Sequence, residues 1–333
     1  RFLVGGHRVA GLALVLLGEG HARVRTRELP GILALRMAGL EPMKLEAKEG
    51  LSLVNGTQVM TGIGVLALIH AERLARAADA IGAMSVEALK GTPRVFDSRI
   101  VRTRPHPGGL ACNANLTRML SESAIAASHT VGDDRVQDPY SLRCMPAVHG
   151  AVRDALTHVR GVIAHEVNAA TDNPLVFTKG DGVSESDELL SGGNFHGQPV
   201  SIALDYLGLS TASLGAISER RTEQMVNPRE SRLPAFLTPE PGLRSGFMMP
   251  HVTAAALVSE NKVHAHPASV DTIPTSGGQE DHVSMGVTAA LKADAIVTNV
   301  SRILAIELLA AARGIEFHAP LSPGKGVAVA RVA

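Results

Sequence analysis

The sequence predicts a mainly α-helical protein whose long helices pack as an antiparallel bundle. Long segments without interior proline place apolar side chains three to five residues apart, the pattern of helices that turn one face toward a core. The chain has 333 residues, of which 45% are hydrophobic and 19% charged. This composition argues against disorder and supplies enough apolar surface for a large core in one or two domains.

The periodic segments give the helices in chain order. Helices are predicted over residues 57–81, for a short stretch from Ser85, and over residues 115–128, 147–170, 199–225 and 288–313. Residues 199–225 are apolar on nearly all sides until Glu219-Arg220-Arg221, which is typical of a helix surrounded by other helices. The last helix is expected to end at Gly314, because glycine is the common residue just after a helix.

Charge and cysteine content exclude several classes of protein. Lys+Arg 32 balance Asp+Glu 32, so the chain lacks the basic surplus of a nucleic-acid binder, and a small-molecule partner is favoured. The longest smooth apolar run, Val9–Gly18, is shorter than the ~20 residues that a membrane span requires. Cys112 and Cys144 have no Cys-x-x-Cys spacing and favour a reducing cytoplasm. Arg1 stands where Met is expected, so we expect the natural N-terminus to lie upstream.

Polar, glycine-containing loops precede the long helices. Asn55–Gln58 opens the first, Ser191–His196 precedes another, and Thr275–His282 precedes the last. Glycine lets the backbone approach a ligand closely, and the helix N-termini that follow offer free N–H groups with a partial positive charge. Ordinary capping explains each loop separately, but their recurrence favours ligand contact.

Gln137, Tyr140 and Arg143 are spaced by three residues within Val136–Cys144. If the segment is helical after Pro139, these side chains share one face. An Arg fork beside a Tyr hydroxyl suits the binding of a carboxylate next to a proton-transfer group. The alternative is an Arg that pairs with a structural acid.

Other catalytic motifs are incomplete. The sequence has no Gly-x-Ser-x-Gly elbow, and Gly62-Ile-Gly64 and Gly324-Lys325 do not complete a nucleotide-binding motif. His264-x-His266 and His282 lack supporting carboxylate or cysteine ligands, so no metal site is predicted.

Longer strings carry a resemblance that extends in order over about residues 12 to 316. The strings are Gly50–Gln58, Val136–Cys144, Gly192–His196, Ser245–Met248, His266–Asp271 and Gln279–Met285. They resemble the aromatic amino-acid lyase family, and within it the members that act on histidine. The resemblance implies a helical homotetramer of the aromatic amino-acid lyase type, with active sites shared between subunits. Residues 1–50 would then be the end of an N-terminal portion and a connector, 51–316 the central bundle, and 317–333 the start of a shortened C-terminal tail.

The implied activity is an ammonia-lyase reaction: non-oxidative removal of ammonia from L-histidine to give urocanate, in histidine catabolism, without a metal. The resemblance assigns Arg143 to the substrate carboxylate, a contact of roughly 1.5–3 kcal/mol. Tyr140 would be a hydrogen-bond and proton-transfer partner, and Glu280 would accept an imidazole N–H. The other implied positions are Asn55 and Gln137, which would position substrate and prosthetic ring, and Phe195 and Met248, which would wall the pocket.

The prosthetic ring is where the sequence departs from the family. The resemblance implies a methylidene-imidazolone (MIO) formed from an internal Ala-Ser-Gly, but no Ala-Ser-Gly occurs in this chain. Counting back from Leu12–Gly20 puts it at about Phe2-Leu3-Val4, and the first serine is Ser52. We therefore expect the chain to be inactive alone.

Two kinds of alternative remain open. One is a phenylalanine or tyrosine ammonia-lyase, or an aminomutase. The other is a non-catalytic homologue that keeps the bundle for assembly. Glu280 beside Asp281-His282, together with His266–Asp271, favours histidine.

Overall fold

Helices make up most of the protein in the computed structural model, which describes residues 20–24, 27–133 and 135–331. Over these residues the α-helices are α1 (Gly31–Met37), α2 (Glu49–Val54), α3 (Gln58–Ala88), α4 (Ser98–Arg102), α5 (Pro107–Met119), α6 (Ala124–Ala127), α7 (Tyr140–Arg143), α8 (Met145–Glu166), α9 (Gln198–Val226), α10 (Pro228–Ser231), α11 (Met248–His264), α12 (Gly286–Glu316) and α13 (Lys325–Ala330). Short 3₁₀ turns cover Pro93–Phe96, Ala235–Leu237 and Ser276–Gly278. The predicted mainly helical bundle is confirmed.

The strands form two small antiparallel hairpins within the described chain. Strand β1 (His21–Val24) pairs with β2 (Arg27–Pro30), and β3 (Leu175–Phe177) pairs with β4 (Glu188–Leu190). Every residue of β4 is exposed, so this hairpin lies outside the core.

The helices α3, α9 and α12 form the centre of the bundle and run in the same direction. Near their first turns, a Cβ atom on Gly197 or on Gly286 would overlap the Met60 sulfur. At the other end Gly314 packs against Ala88. With 31 residues and a rise of 1.5 Å per residue, α3 spans about 46 Å. One end of the bundle therefore gathers the N-termini of its longest helices.

The antiparallel neighbours are α8 and α11. Met145, the first residue of α8, contacts Gly82 late in α3, whereas Ile163 near its end contacts Gly64. These glycines let the helices approach closely, since a side chain there would overlap its neighbour. Apolar residues of α3, α8, α9 and α12 bury one another along the bundle.

Several predicted helix limits were wrong, for reasons of tertiary packing. Ser85 does not start a new helix, because it lies buried inside α3 and its hydroxyl donates to Glu307 at 2.6 Å. The predicted helix over 115–128 is instead parts of two helices, since α5 ends at Met119, Glu122 has a positive φ of 57°, and α6 begins at Ala124. Gly314 does not end α12, which continues to Glu316. Helix α11 was not predicted.

Within the described residues, three helical segments are long and apolar enough to cross a membrane by length and composition alone: Glu49–Ala88, Gln198–Val226 and Gly286–Glu316. In the structure they pack against one another and enclose the fully buried pair Arg221–Glu307. The bundle core thus accounts for their apolar composition. The run Val9–Gly18 lies outside the described residues.

Candidate functional site

The structure brings Gln137, Tyr140 and Arg143 together at the turn α7. The Arg143 guanidinium lies 4.6 Å from the centre of the Tyr140 ring. Its Nη2 donates to Gln137 Oε1 at 2.7 Å, and its Nε donates to the Asp138 carbonyl at 3.0 Å. The predicted proximity is confirmed, whereas the roles of the three residues stay predictions.

Local sequence explains why this turn is separate from the long helix that follows. Pro139 precedes α7 with extended ψ and fixes where the chain enters the turn. Leu142 is buried and anchors the turn, while Tyr140 on the opposite side is 72% exposed. Pro146, in the first turn of α8, has no N–H to donate to the preceding turn.

An open cavity of about 350 Å³ adjoins this cluster. Gln137, Tyr140 and Arg143 line it together with Leu89 and Gln224, which lie at the C-terminal ends of α3 and α9. Its size is at the lower end of small-molecule pockets. The cluster therefore lies at the bundle end opposite the converging N-termini.

Asn55, Phe195 and Glu280 lie at the other end, in the loops that precede α3, α9 and α12. Asn55 follows α2 and is exposed, and Phe195 is also exposed. The loops before α9 and α12 contact each other through His196, whose Nε2 lies 3.0 Å from the His282 carbonyl, with the two rings stacked. The structure thus gathers the predicted glycine-containing loops at one end.

Further bonds hold this end together. Lys48 Nζ donates to Asp172 at 2.8 Å, and Thr57 Oγ1 lies 3.1 Å from Thr171 Oγ1, so the loop before α3 is joined to the chain after α8. Gly192 N donates to Asn173 Oδ1 at 2.8 Å.

Glu280 is held by hydroxyl groups of its own loop. The Thr275 hydroxyl donates to its carboxylate, and this bond, with a second from Ser276, lowers the pKa of Glu280. The carboxylate is exposed and ionised at neutral pH, so it can accept an N–H from a ligand.

The cluster of Tyr140 and Arg143 does not meet the loop that carries Glu280 within one chain. His196 precedes α9, whereas Gln224 in its last turn lines the cavity of Tyr140 and Arg143. Gln224 lies 26 positions after Gln198, which corresponds to about 39 Å along the helix. One copy of the chain therefore cannot place Glu280 and Arg143 around the same small molecule.

Met248 lies on the helix α11, which begins near the end of the bundle that carries Tyr140. It begins α11, and His251 one turn later lies 3.0 Å from Glu219 Oε1 in the C-terminal part of α9.

Sequence reasoning missed a buried polar network beneath α7. Arg221 and Glu307 are fully buried and form a bidentate pair. Arg221 Nη1 also lies 3.4 Å from His149 Nε2, and His149 Nδ1 lies 3.0 Å from Asp79 Oδ1. Two features of the sequence could have indicated this network. They are the charged residues Glu219–Arg221 in an otherwise apolar helix and the acidic Glu307 within an apolar stripe.

Asp79, Cys112 and His149 place possible metal-ligand atoms within 4.8 Å of one another. Asp79 already accepts hydrogen bonds from His149, from Asn115 at 2.8 Å and from Arg153. Burial alone would raise the pKa of Asp79, but these partners lower it to about 2, while burial raises the pKa of the Cys112 thiol. A protonated thiol and a carboxylate paired with Arg fit a hydrogen-bond network better than a metal site.

His149 makes the stability of the fold depend on pH. Burial lowers the pKa of His149, and its hydrogen bond with Asp79 opposes this only in part. Since an unfolded histidine has a pKa near the model value of 6.5, protons bind the unfolded chain first as pH falls. We expect the free energy of unfolding to fall below that pH, by up to about 1.4 kcal/mol per pH unit for this one group.

Urea unfolding at a series of pH values measures this dependence. His149→Asn should reduce the slope, whereas His165→Asn, at an exposed position, should leave it unchanged. His318, whose pKa burial also lowers, contributes with the same sign and keeps a residual slope in the variant. An identical slope in His149→Asn would contradict the assignment.

Comparisons with known proteins agree on one family. The sequence profile of the aromatic amino acid lyase family matches residues 7–333. The histidine ammonia-lyase of Anaeromyxobacter sp. (strain K) is 57% identical over 330 residues, which cover 97% of this chain and 64% of that relative. The histidine ammonia-lyase of Koribacter versatilis (strain Ellin345) is 55% identical over 319 residues, 94% of this chain and 62% of that relative.

Solved structures show the same fold. The crystal structure of histidine ammonia-lyase from Trypanosoma cruzi matches with a TM-score of 0.85 at 46% identity, over 98% of this chain and 60% of that one. Tyrosine aminomutase from Streptomyces globisporus matches with a TM-score of 0.86 at 34% identity, over 99% and 66%. The chain spans less than two thirds of the length of each of these proteins. This chain belongs to the aromatic amino acid lyase family.

Proposed function

We propose that this chain forms the larger part of a histidine ammonia-lyase, which converts L-histidine to urocanate and ammonia. The observation that carries the proposal is the fall in sequence identity among solved structures, from 46% with a histidine ammonia-lyase to 34% with a tyrosine aminomutase. The TM-scores of 0.85 and 0.86 do not separate the two activities, because both proteins share the fold.

The prosthetic group of this family would lie at the end where α3, α9 and α12 begin. The N-cap residues Thr57, Gly197 and Met285 make no side-chain cap bond, and His196 Nδ1 accepts from the Gln198 N–H at 3.3 Å. Because the three helices begin at the same end, their partial positive charges converge there. This end fits a group that accumulates negative charge, with Asn55 nearby. The methylidene-imidazolone would supply an electrophile that withdraws electrons from the substrate. Its Ala-Ser-Gly precursor is absent from the sequence, and the expected positions Phe2–Val4 lie outside the described residues.

The residues of the chain itself would bind and orient the substrate. Arg143 uses its Nε and one Nη2 proton on Asp138 and Gln137, which fixes the guanidinium plane and leaves other N–H groups for a carboxylate. Tyr140 presents its exposed hydroxyl beside that plane for proton transfer. Glu280 would accept the imidazole N–H.

A homotetramer with shared sites is part of the proposal. The distance between the groups of Arg143 and Glu280 requires another copy to complete each site. Ile202, Tyr206 and Leu209 form an apolar stripe on α9 and are 53%, 43% and 51% exposed in the single chain. A second copy of the chain is the partner that would cover this face of a core helix.

The tests use a completed chain, in which the flanking segments of the Anaeromyxobacter relative are joined to both ends of this sequence. Incubated with histidine, it should release ammonia and the ultraviolet absorbance of urocanate. Faster turnover of phenylalanine or tyrosine, or formation of a β-amino acid, would favour an aminomutase or another ammonia-lyase. No product from any of these substrates would favour a non-catalytic assembly protein. The soluble extract of a reducing cytoplasm is the proposed source, consistent with the free thiols of Cys112 and Cys144.

Glu280 should decide the preference for histidine. In the completed chain, Glu280→Gln is expected to lower kcat/KM for histidine by about 10- to 100-fold, the value of one charged hydrogen bond. Turnover of phenylalanine, which has no ring N–H, should change far less. Asp281→Asn, at the adjacent exposed acid, is the matched control. Equal losses for both substrates would contradict the imidazole contact.

A further inference from the structure

A buried arginine lies directly beneath the turn that carries Tyr140 and Arg143. The Arg221 side chain is 0% exposed, and its Nη1 donates to the Ser141 carbonyl at 3.3 Å. Ser141 is one of the two residues between Tyr140 and Arg143, whose side chains line the cavity. Arg221 itself does not line that cavity.

Arg221 is fixed from several sides. Glu307 on α12 binds its Nε and Nη2, and the hydroxyls of Ser85 and Ser218 donate to the same carboxylate. The Arg221 and Glu307 charges cancel, and the bidentate geometry leaves the guanidinium one orientation. Elements α3, α9 and α12 all contribute to this arrangement.

Helix α8 also packs against Arg221 and adds a directional contact through His149. Burial lowers the pKa of His149 and keeps the ring neutral. Because Nδ1 of the neutral ring donates to Asp79, Nε2 can only accept a hydrogen bond. Arg221 Nη1 lies 3.4 Å from this Nε2. Arg153 balances the charge of Asp79. The charged groups around Arg221 are therefore compensated in pairs. Nη1 carries two protons, so it can donate to both the Ser141 carbonyl and His149 Nε2.

The turn needs such a support. It is only four residues long, and Pro146 interrupts the hydrogen-bond ladder between it and α8. We propose that Arg221, held by Glu307, is a positioning residue that fixes the peptide between Tyr140 and Arg143 and so sets the orientation of both side chains. The consequence for catalysis rests on the proposed function.

The test replaces the buried pair by apolar residues, Arg221→Met with Glu307→Met, because such replacement of a buried ion pair is often neutral for stability. Tyr140 and Tyr206 are the two tyrosines of the sequence. In a Tyr206→Phe background labelled with 3-fluorotyrosine, Tyr140 alone gives a fluorine NMR signal. We expect this signal to shift and broaden in the double variant. Amide hydrogen exchange in the peptide covering residues 139–145 should accelerate by about tenfold or more.

The matched control is the ion pair Arg160–Glu72, which joins α8 to α3 without contact to α7. Arg160→Met with Glu72→Met should leave the Tyr140 signal and the exchange of 139–145 unchanged. An unchanged signal in the Arg221–Glu307 double variant overturns the positioning role, whatever the enzyme does.

A second double variant, Arg221→Gln with Glu307→Gln, keeps hydrogen-bonding groups without charge. If both double variants lose their helical circular dichroism, the pair serves the fold itself and the proposal is overturned. In the completed chain, kcat/KM for histidine should fall by about 10- to 100-fold, the usual cost of misplaced binding groups. An altered Tyr140 signal with no histidine turnover in any form would instead refute the proposed function.

Discussion

Two inactive variants of the completed chain, Tyr140→Phe and Glu280→Ala, are expected to regain histidine deamination when they are co-expressed. Each variant alone should lose about 10²-fold or more, because one lacks the proton-transfer hydroxyl and the other the imidazole acceptor. Tyr140 lies near the C-terminal end of α9 and Glu280 near its N-terminal end, and α9 spans about 39 Å between them, so in the proposed homotetramer each site would take the two residues from different subunits. Random mixing then leaves about a quarter of the sites with both native groups.

Steady-state kinetics of the co-purified mixture measures the rescue, which should reach roughly a quarter of the native rate. The control mixes Tyr140→Phe with Arg143→Ala. Both changes lie in the same turn, so every site keeps one defect and no rescue is expected. Rescue in the control, or none in the test, would show that one subunit supplies both groups.

Loss of Glu307 alone should be strongly destabilising. Glu307→Leu leaves the buried Arg221 cation without its carboxylate, and removal of one partner of a buried pair costs about 3–5 kcal/mol. This is a large part of the roughly 5–15 kcal/mol by which domains are stable. Urea unfolding followed by circular dichroism measures the loss.

Glu316→Leu is the matched control, because Glu316 lies on the same helix in an exposed pair with Arg313. That pair is worth at most about 1 kcal/mol. If Glu307→Leu and Glu316→Leu lower the free energy of unfolding equally, Arg221 must find another partner or water in the variant. This result would contradict the importance of the Arg221–Glu307 pair for stability.

The sequence was sufficient wherever the structure depends on local periodicity. The bodies of α3, α8, α9 and α12 were predicted, because their apolar residues repeat at helical spacing. The proximity of Gln137, Tyr140 and Arg143 was also predictable, since three-residue spacing places side chains on one face. The predicted helix boundaries were wrong where distant contacts decide them. At Gly314, for example, glycine is needed because Ala88 of a neighbouring helix lies where a side chain would be, and the helix continues past it.

The rest depends on how helices are arranged relative to one another. Arg221 and Glu307 are 86 residues apart, and no local pattern pairs them. The distance between Glu280 and Arg143 follows from the shared direction of α3, α9 and α12, which the spacing of apolar residues does not encode. The predicted domain limits at residues 51 and 316 stay predictions, although α12 ends at Glu316. The residue roles implied by the resemblance likewise stay predictions until the variants are measured.

The common direction of α3, α9 and α12 gives an overall neutral protein a polar axis. Peptide dipoles that lie side by side and point the same way add, whereas those of an up-and-down bundle largely cancel. The end where these helices begin thus carries a partial positive charge from backbone groups, although the 32 basic and 32 acidic side chains balance. Surface charges away from this end could therefore be exchanged to improve solubility with little effect on the field at the helix N-termini.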